Sequence, residues 1–168
     1  MNYHNITHDD MRNGDGLRVV LWVSGCNHRC PGCQNPITWD PSSGLHFDFY
    51  EMLEIGKELK KDYVAGITFS GGDPLYPDNR GCIRALVEWV HTKFPGKTVW
   101  IYTGYTWDEI MMNPSMYDIM KYTDVLVDGE YKENLSSINY HWAGSTNQRV
   151  IDVQKSLKEG VVVLHDSH

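Results

Sequence analysis

Four apolar, β-branched runs recur along this chain, and each opens into a loop of unusual composition. LRVVLWV (17–23) leads into CNHRCPGC, AGITF (65–69) into SGGDP, TVWIY (98–102) into TGY, and DVLV (124–127) into DGEY. Short runs of this kind, ended by turn residues, read as buried strands. A fifth run, VVVL (161–164), reads as one more. Helical patterns separate the first four. Phe49, Met52, Leu53 and Leu59 recur at roughly helical spacing over 48–61, and Ile83, Leu86, Val87, Val90 and Phe94 follow i, i+3, i+4, i+7, i+11 over 80–94. Residues 107–121 predict a third helix, broken near Pro114 and capped by Asp108.

Strands alternating with helices build parallel βα units. A complete eightfold barrel takes about 250 residues and rarely fewer than about 200. With 168 residues the chain predicts one domain, an α/β fold with mainly parallel strands, as an open or partial βα barrel or a doubly wound sheet. Either architecture places its site at the C-terminal ends of the strands. The four special loops fall there, so they predict one shared site. Residues 129–148 read as a long connection without apolar periodicity, the kind of loop that is often functional. The segment before the first strand, 1–16, is polar, and the tail at 165–168 is expected to fray.

The net charge of −7 works against nucleic acid as a partner, because phosphates attract the opposite sign. No apolar run is long enough to span a bilayer, and the start, MNYHNITHDDMRNGDG, has the character of neither a signal nor a transit peptide. The expected compartment is the cytoplasm, where thiols stay reduced.

Cys26, Cys30 and Cys33 are spaced C-x3-C-x2-C, and Cys82 stands far from them. Three is an awkward number, since a disulfide uses two thiols and structural zinc uses four ligands. Three thiolates suit a 4Fe–4S cube whose fourth iron stays open. Two other readings remain. Zinc could take the three cysteines with His28, His4, His8 or Cys82, or Cys30 and Cys33 could form a redox pair that leaves Cys26 unexplained. The eight histidines otherwise show no metal spacing, and Cys82 reads as a small apolar residue on a helix.

C-x3-C-x2-C after a first strand resembles the radical S-adenosylmethionine superfamily. The resemblance implies a partial barrel of that type, with one 4Fe–4S cluster on Cys26, Cys30 and Cys33. It also implies S-adenosylmethionine as the fourth partner, chelating the open iron through its amino and carboxylate groups. The cluster then passes an electron to the sulfonium, and the resulting 5′-deoxyadenosyl radical abstracts a hydrogen atom. Gly71-Gly72-Asp73-Pro74 is similar to the superfamily's GGE-like element. The glycine carbonyls would accept from the methionine ammonium, and Asp73 would add a carboxylate. By itself SGGDP is an ordinary turn. Gly32, Cys33, Gln34, Tyr102 and Asp128 complete the expected cofactor surface, and no catalytic side chain is expected beyond cluster and cofactor.

Asn13-Gly14-Asp15-Gly16-x-Arg18 resembles the G-P-G-x-R element of glycyl-radical-enzyme activases, with Asp15 in place of the proline. The finer resemblance is to the activases of anaerobic (class III) ribonucleoside-triphosphate reductase. It rests on VSGCNHRCPGCQNPITW (23–39), SGGDPLYP (70–77), WIYTGYTWDEI (100–110), VLVDGEY (125–131) and WAGSTNQR (142–149). It implies the reductase catalytic subunit as partner and an external one-electron donor such as a flavodoxin. Gln34 departs from the pattern, since these activases carry Tyr after the last cysteine. Asn35, Gly104 and Tyr105 would border the site, and Gln148 and Arg149 would order it or the partner's loop. The alternatives are an activase of another glycyl-radical enzyme, a small enzyme such as 7-carboxy-7-deazaguanine synthase, or a zinc-binding interaction domain.

Overall fold

The computed structural model describes residues 1–166. In chain order its elements are β1 (Asn2–Asp10), β2 (Leu17–Val23), β3 (Leu45–His46), α1 (Phe49–Leu59), β4 (Val64–Gly71), α2 (Arg80–Lys93) and β5 (Thr98–Tyr102), followed by α3 (Trp107–Met111), α4 (Pro114–Met120), β6 (Val125–Asp128), β7 (Arg149–Asp152) and α5 (Val153–Glu159). All strands join one seven-stranded sheet, ordered β3-β1-β2-β4-β5-β6-β7. The four middle strands are parallel neighbours, while β1, β3 and β7 pair antiparallel at the flanks.

The parallel strands stand in chain order with no reversal. Right-handed crossovers then carry every connecting helix to the same face, whereas a doubly wound sheet needs a reversal point. The side chains obey this. Leu21, Phe69, Ile101, Leu126 and Ile151 lie side by side across five strands, all fully buried. They share one core with Ile55, Leu59, Ile83, Val87, Val90, Ile110 and Ile119 of the helices. The period-2 alternation sends Arg18, Thr68, Trp100, Tyr102 and Val127 to the opposite face. There Trp100, Val125, Val127 and Ala143 form a second, smaller cluster, covered by Tyr140 and Trp142.

Several expectations need correction. The polar segment before the first predicted strand is itself mostly a strand, β1, held between β3 and β2 near the sheet's flank, and its half-exposed faces show no apolar run. VVVL at 161–164 forms only an isolated bridge, Leu164 to Ile151, and Val161 is exposed. The third helix is two helices. Thr106, not Asp108, caps the first through a capping box with Glu109, and Asn113 caps the second ahead of Pro114. The tail does not fray at 165: the His165 amide donates to the Val150 carbonyl at 2.8 Å, and its Nε2 sits 2.7 Å from Asp15 Oδ2. Ser167 and His168 lie outside the described residues.

Candidate functional site

The loop after β2 is pinned at its base. Gly25 and Cys26 donate their amides to the carbonyls of Thr38 and Trp39, at 2.7 and 3.1 Å. Between these anchors a turn places the Cys33 amide 3.1 Å from the Cys30 carbonyl, with Pro31 at its second position and Gly32 at φ 75°. That positive φ is what a type II turn demands of its third residue. The Asn35 amide lies 3.4 Å from Cys33 Sγ. Burial pushes the Cys26 thiol up to about 11 and the Cys30 thiol upward, so both are protonated at neutral pH.

The loop after β4 docks directly on this one. Asp73 and Gly72 donate their amides to the carbonyls of Gly25 and Val23, at 2.7 and 2.8 Å. A Cβ on Gly72 would fall 2.6 Å from the Gly25 carbonyl oxygen, so only glycine permits the approach. Asn79 reinforces the junction by donating to the carbonyls of Ser24 and Asp73.

Cys26, Cys30, Cys33, Gln34, Gly71, Gly72, Asp73 and Tyr102 line one cavity of about 1400 Å3 at the C-terminal edge of the parallel strands. Asn35, Gly104 and Gln148 line it too. Two expected cofactor residues do not reach it. Gly32 is occupied by the turn, where an added Cβ would fall 2.8 Å from the Glu133 carboxylate carbon. Asp128 is 2% exposed and turned to Arg149, whose Nη2 lies 2.8 Å away, and to the Trp107 amide at 2.9 Å.

Asp73 lines the cavity, but its carboxylate already has four protein donors. Leu75 N, Thr103 Oγ1, Gly104 N and His28 Nε2 approach it at 2.8 to 3.0 Å. Its evident duty is to hold loops together. Gln148 works likewise, accepting from the amides of Gly144 and Ser145 and donating to the Gly129 carbonyl. Sequence reading missed Thr103, Asn79 and Glu130, and considered His28 only as a zinc ligand. No spacing signal marks them, since their partners lie on other loops. Cys82 sits half-buried on α2, away from the cavity.

Two observations bear on what the cavity holds. Trp39 and Tyr102 line it, and their Nε1 and Oη are buried with no hydrogen-bond partner, which leaves each donor unused. Burial also pushes the Tyr102 phenol well above its ordinary pKa, so it remains a donor. Second, among the described residues no three His, Cys, Asp or Glu side chains converge tightly enough to enclose a single metal ion. Cys26, Cys30 and Cys33 are all free, half-buried thiols on the wall of this one cavity. Soft sulfur donors of this kind suit an iron–sulfur group.

A family model described as a 4Fe–4S single cluster domain matches residues 12–151. The chain is 45% identical over 150 residues to the anaerobic ribonucleoside-triphosphate reductase-activating protein of Enterobacteria phage T4, covering 89% of this chain and 93% of that protein. It is 41% identical over 152 residues to the protein of the same name from Escherichia coli strain K12, covering 89% and 97%. For Vibrio cholerae serotype O1 the figures are 40% over 150 residues, 88% and 96%.

Proposed function

The chain belongs to the family of anaerobic ribonucleoside-triphosphate reductase-activating proteins and carries a 4Fe–4S single cluster domain; from that premise we propose that it cleaves S-adenosylmethionine reductively and generates a glycyl radical on the catalytic subunit of the reductase. The observation that carries the reading is the shared cavity, where the three thiols of the loop after β2 and the Gly71-Gly72-Asp73 loop after β4 meet at one edge.

Cys26, Cys30 and Cys33 would each hold one iron and leave one free for the amino acid end of S-adenosylmethionine. When bound, the cluster supplies the electron that reductive cleavage needs, with methionine and 5′-deoxyadenosine as products once a glycine hydrogen has been taken. The chain's own residues bind, orient and exclude water. The carbonyls of Gly71 and Gly72 would receive the methionine ammonium, with Asp73 holding their loop rigid and adding negative charge. Tyr102 offers its unpaired hydroxyl, and Gln34, exposed after the last cysteine, offers a polar contact there. The 131–148 excursion, with Tyr140, Trp142 and Gly144 in the cavity wall, would keep water from the reacting groups. Orientation is the main contribution such a site makes.

The same reading treats the chain as a single domain whose sheet curls as a partial barrel around the cavity. The chain-ordered parallel strands support it. It places the protein in the cytoplasm with an external one-electron donor of the flavodoxin kind. Among the described residues no helix is long and apolar enough to cross a membrane.

The test is anaerobic reconstitution with iron and sulfide, then dithionite and S-adenosylmethionine. Methionine and 5′-deoxyadenosine should accumulate together. Their absence from a protein with full iron and sulfide content contradicts the proposal.

A further inference from the structure

His28 lies between Cys26 and Cys30, yet its ring is engaged elsewhere. Nε2 sits 2.8 Å from Asp73 Oδ2, on the loop after β4. Nδ1 faces Glu130 Oε2, on the loop after β6, at 3.4 Å. The ring packs edge-on against Tyr105, after β5, with centroids 4.7 Å apart. Beneath it is Gly104, where a Cβ would fall 2.5 Å from His28 Cδ2, so the ring occupies a notch that only glycine leaves open. One imidazole therefore touches the loops after β4, β5 and β6 while belonging to the loop after β2. Its side chain is 13% exposed.

We propose that His28 is a positioning residue that locks the cysteine loop onto the Asp73 loop and thereby fixes the cluster's place relative to bound S-adenosylmethionine. This rests on the reading of the site given above. Loops move more readily than the strands that carry them, and a misplacement of about 1 Å at a reacting centre can cost roughly a hundredfold in rate. Between Cys26 and Cys33 the loop is braced from within by the Pro31–Gly32 turn and by backbone hydrogen bonds of His28 and Arg29 to the Cys26 sulfur, while Arg29 holds a left-handed φ of 50° that a non-glycine residue adopts reluctantly. The imidazole supplies the brace from outside the loop. A metal-ligand role would need a ring nitrogen turned away from one of the two carboxylates.

The experiment compares wild type, His28→Ala, His28→Gln and Gly104→Ala after anaerobic reconstitution. Iron and sulfide are counted. S-adenosylmethionine binding is measured on the oxidised cluster, where no cleavage occurs, and the electron paramagnetic resonance spectrum of the reduced cluster is recorded with and without it. His28→Ala should assemble its cluster like wild type, bind S-adenosylmethionine roughly tenfold more weakly, as for loss of a hydrogen bond to a charged group, and show a blunted spectral response. His28→Gln, which keeps a donor for Asp73, should recover most of both. Gly104→Ala, which evicts the ring, should reproduce the defect with His28 present. Wild-type binding and response in His28→Ala overturn the proposal. Loss of iron in both His28 variants overturns it in favour of a ligand or scaffold role.

Failure of the wild type itself to bind or cleave S-adenosylmethionine contradicts the proposed function instead. The brace is then judged on metal-free protein. The Leu75 and Gly104 amides both donate to Asp73, and they should exchange hydrogen faster in His28→Ala. Unchanged exchange removes the brace independently of any cofactor.

Discussion

Arg149 grips Asp128 with two nitrogens, Nη2 at 2.8 Å from Oδ2 and Nε at 3.3 Å from Oδ1. The carboxylate is 2% exposed and the guanidinium side chain 40%. With the Trp107 amide as a further donor, the pair ties the end of β6 to β7 and to the start of α3. Arg149→Ala leaves a buried carboxylate short of donors. Breaking a buried pair costs about 3–5 kcal/mol, and solvent around the half-exposed arginine discounts that to about 2 kcal/mol. Arg149→Lys should recover only part, because an ammonium has no fork. Urea unfolding of the metal-free protein measures both, and an unchanged midpoint for Arg149→Ala contradicts the assignment.

Arg18 is buried on the face opposite the helices. It donates to Thr68 Oγ1, Thr98 Oγ1 and the carbonyls of Asp15, Ile67 and Thr98, all at 2.8 to 3.0 Å. These bonds join the turn before β2 to β4 and β5. Arg18→Ala strands several buried acceptors at once and should cost about 3 kcal/mol or more. Thermal unfolding should show a large fall in midpoint, and a shift of only a degree or two would mean that the network is redundant.

Acid should weaken the start of α1. Burial opposes the Glu51 charge, but hydrogen bonds at Asp48 and from Tyr3 outweigh it and hold the carboxyl down at about 2. A depressed carboxyl contributes stability that is full above its ordinary pKa of 4.5 and is lost as pH falls toward 2. Wild type should therefore lose stability across that window more steeply than Glu51→Gln. Parallel curves for the two proteins contradict the capping role.

Cysteine replacement should divide the four thiols three to one. Cys26→Ser, Cys30→Ser and Cys33→Ser should each lose most of the reconstituted iron, while Cys82→Ser, on α2 outside the cavity, should keep it. Iron and sulfide analysis decides, and retention in any of the first three removes that residue from the ligand set.

The parallel core was legible because its strands are buried on both faces and read as apolar runs: LRVVLWV and TVWIY match β2 and β5 residue for residue. β1 was not legible, since NYHNITHDD lies at the polar flank of the sheet and takes its conformation from pairing with β2. VVVL misled in the other direction, an apolar run without a full partner strand. The cap at Thr106 was present as T-x-x-E and overlooked. Of the residues that line the cavity, the three cysteines, Gly71 and Gly72 stood out in the sequence because spacing within one loop carries their signal. The His28–Asp73 contact could not, because its partners are 45 residues apart and only the docking of two loops joins them. Asp128 sat at the expected strand end, but Arg149 claims it, a choice made by burial rather than by sequence position.

Radical transfer to the reductase can be read directly by electron paramagnetic resonance. The reconstituted protein is mixed anaerobically with dithionite, S-adenosylmethionine and the catalytic subunit of the cognate reductase, then frozen. A glycyl radical doublet should appear on the reductase, depend on all three components and disappear with Cys26→Ser. Full cleavage of S-adenosylmethionine with no doublet on the reductase would contradict it.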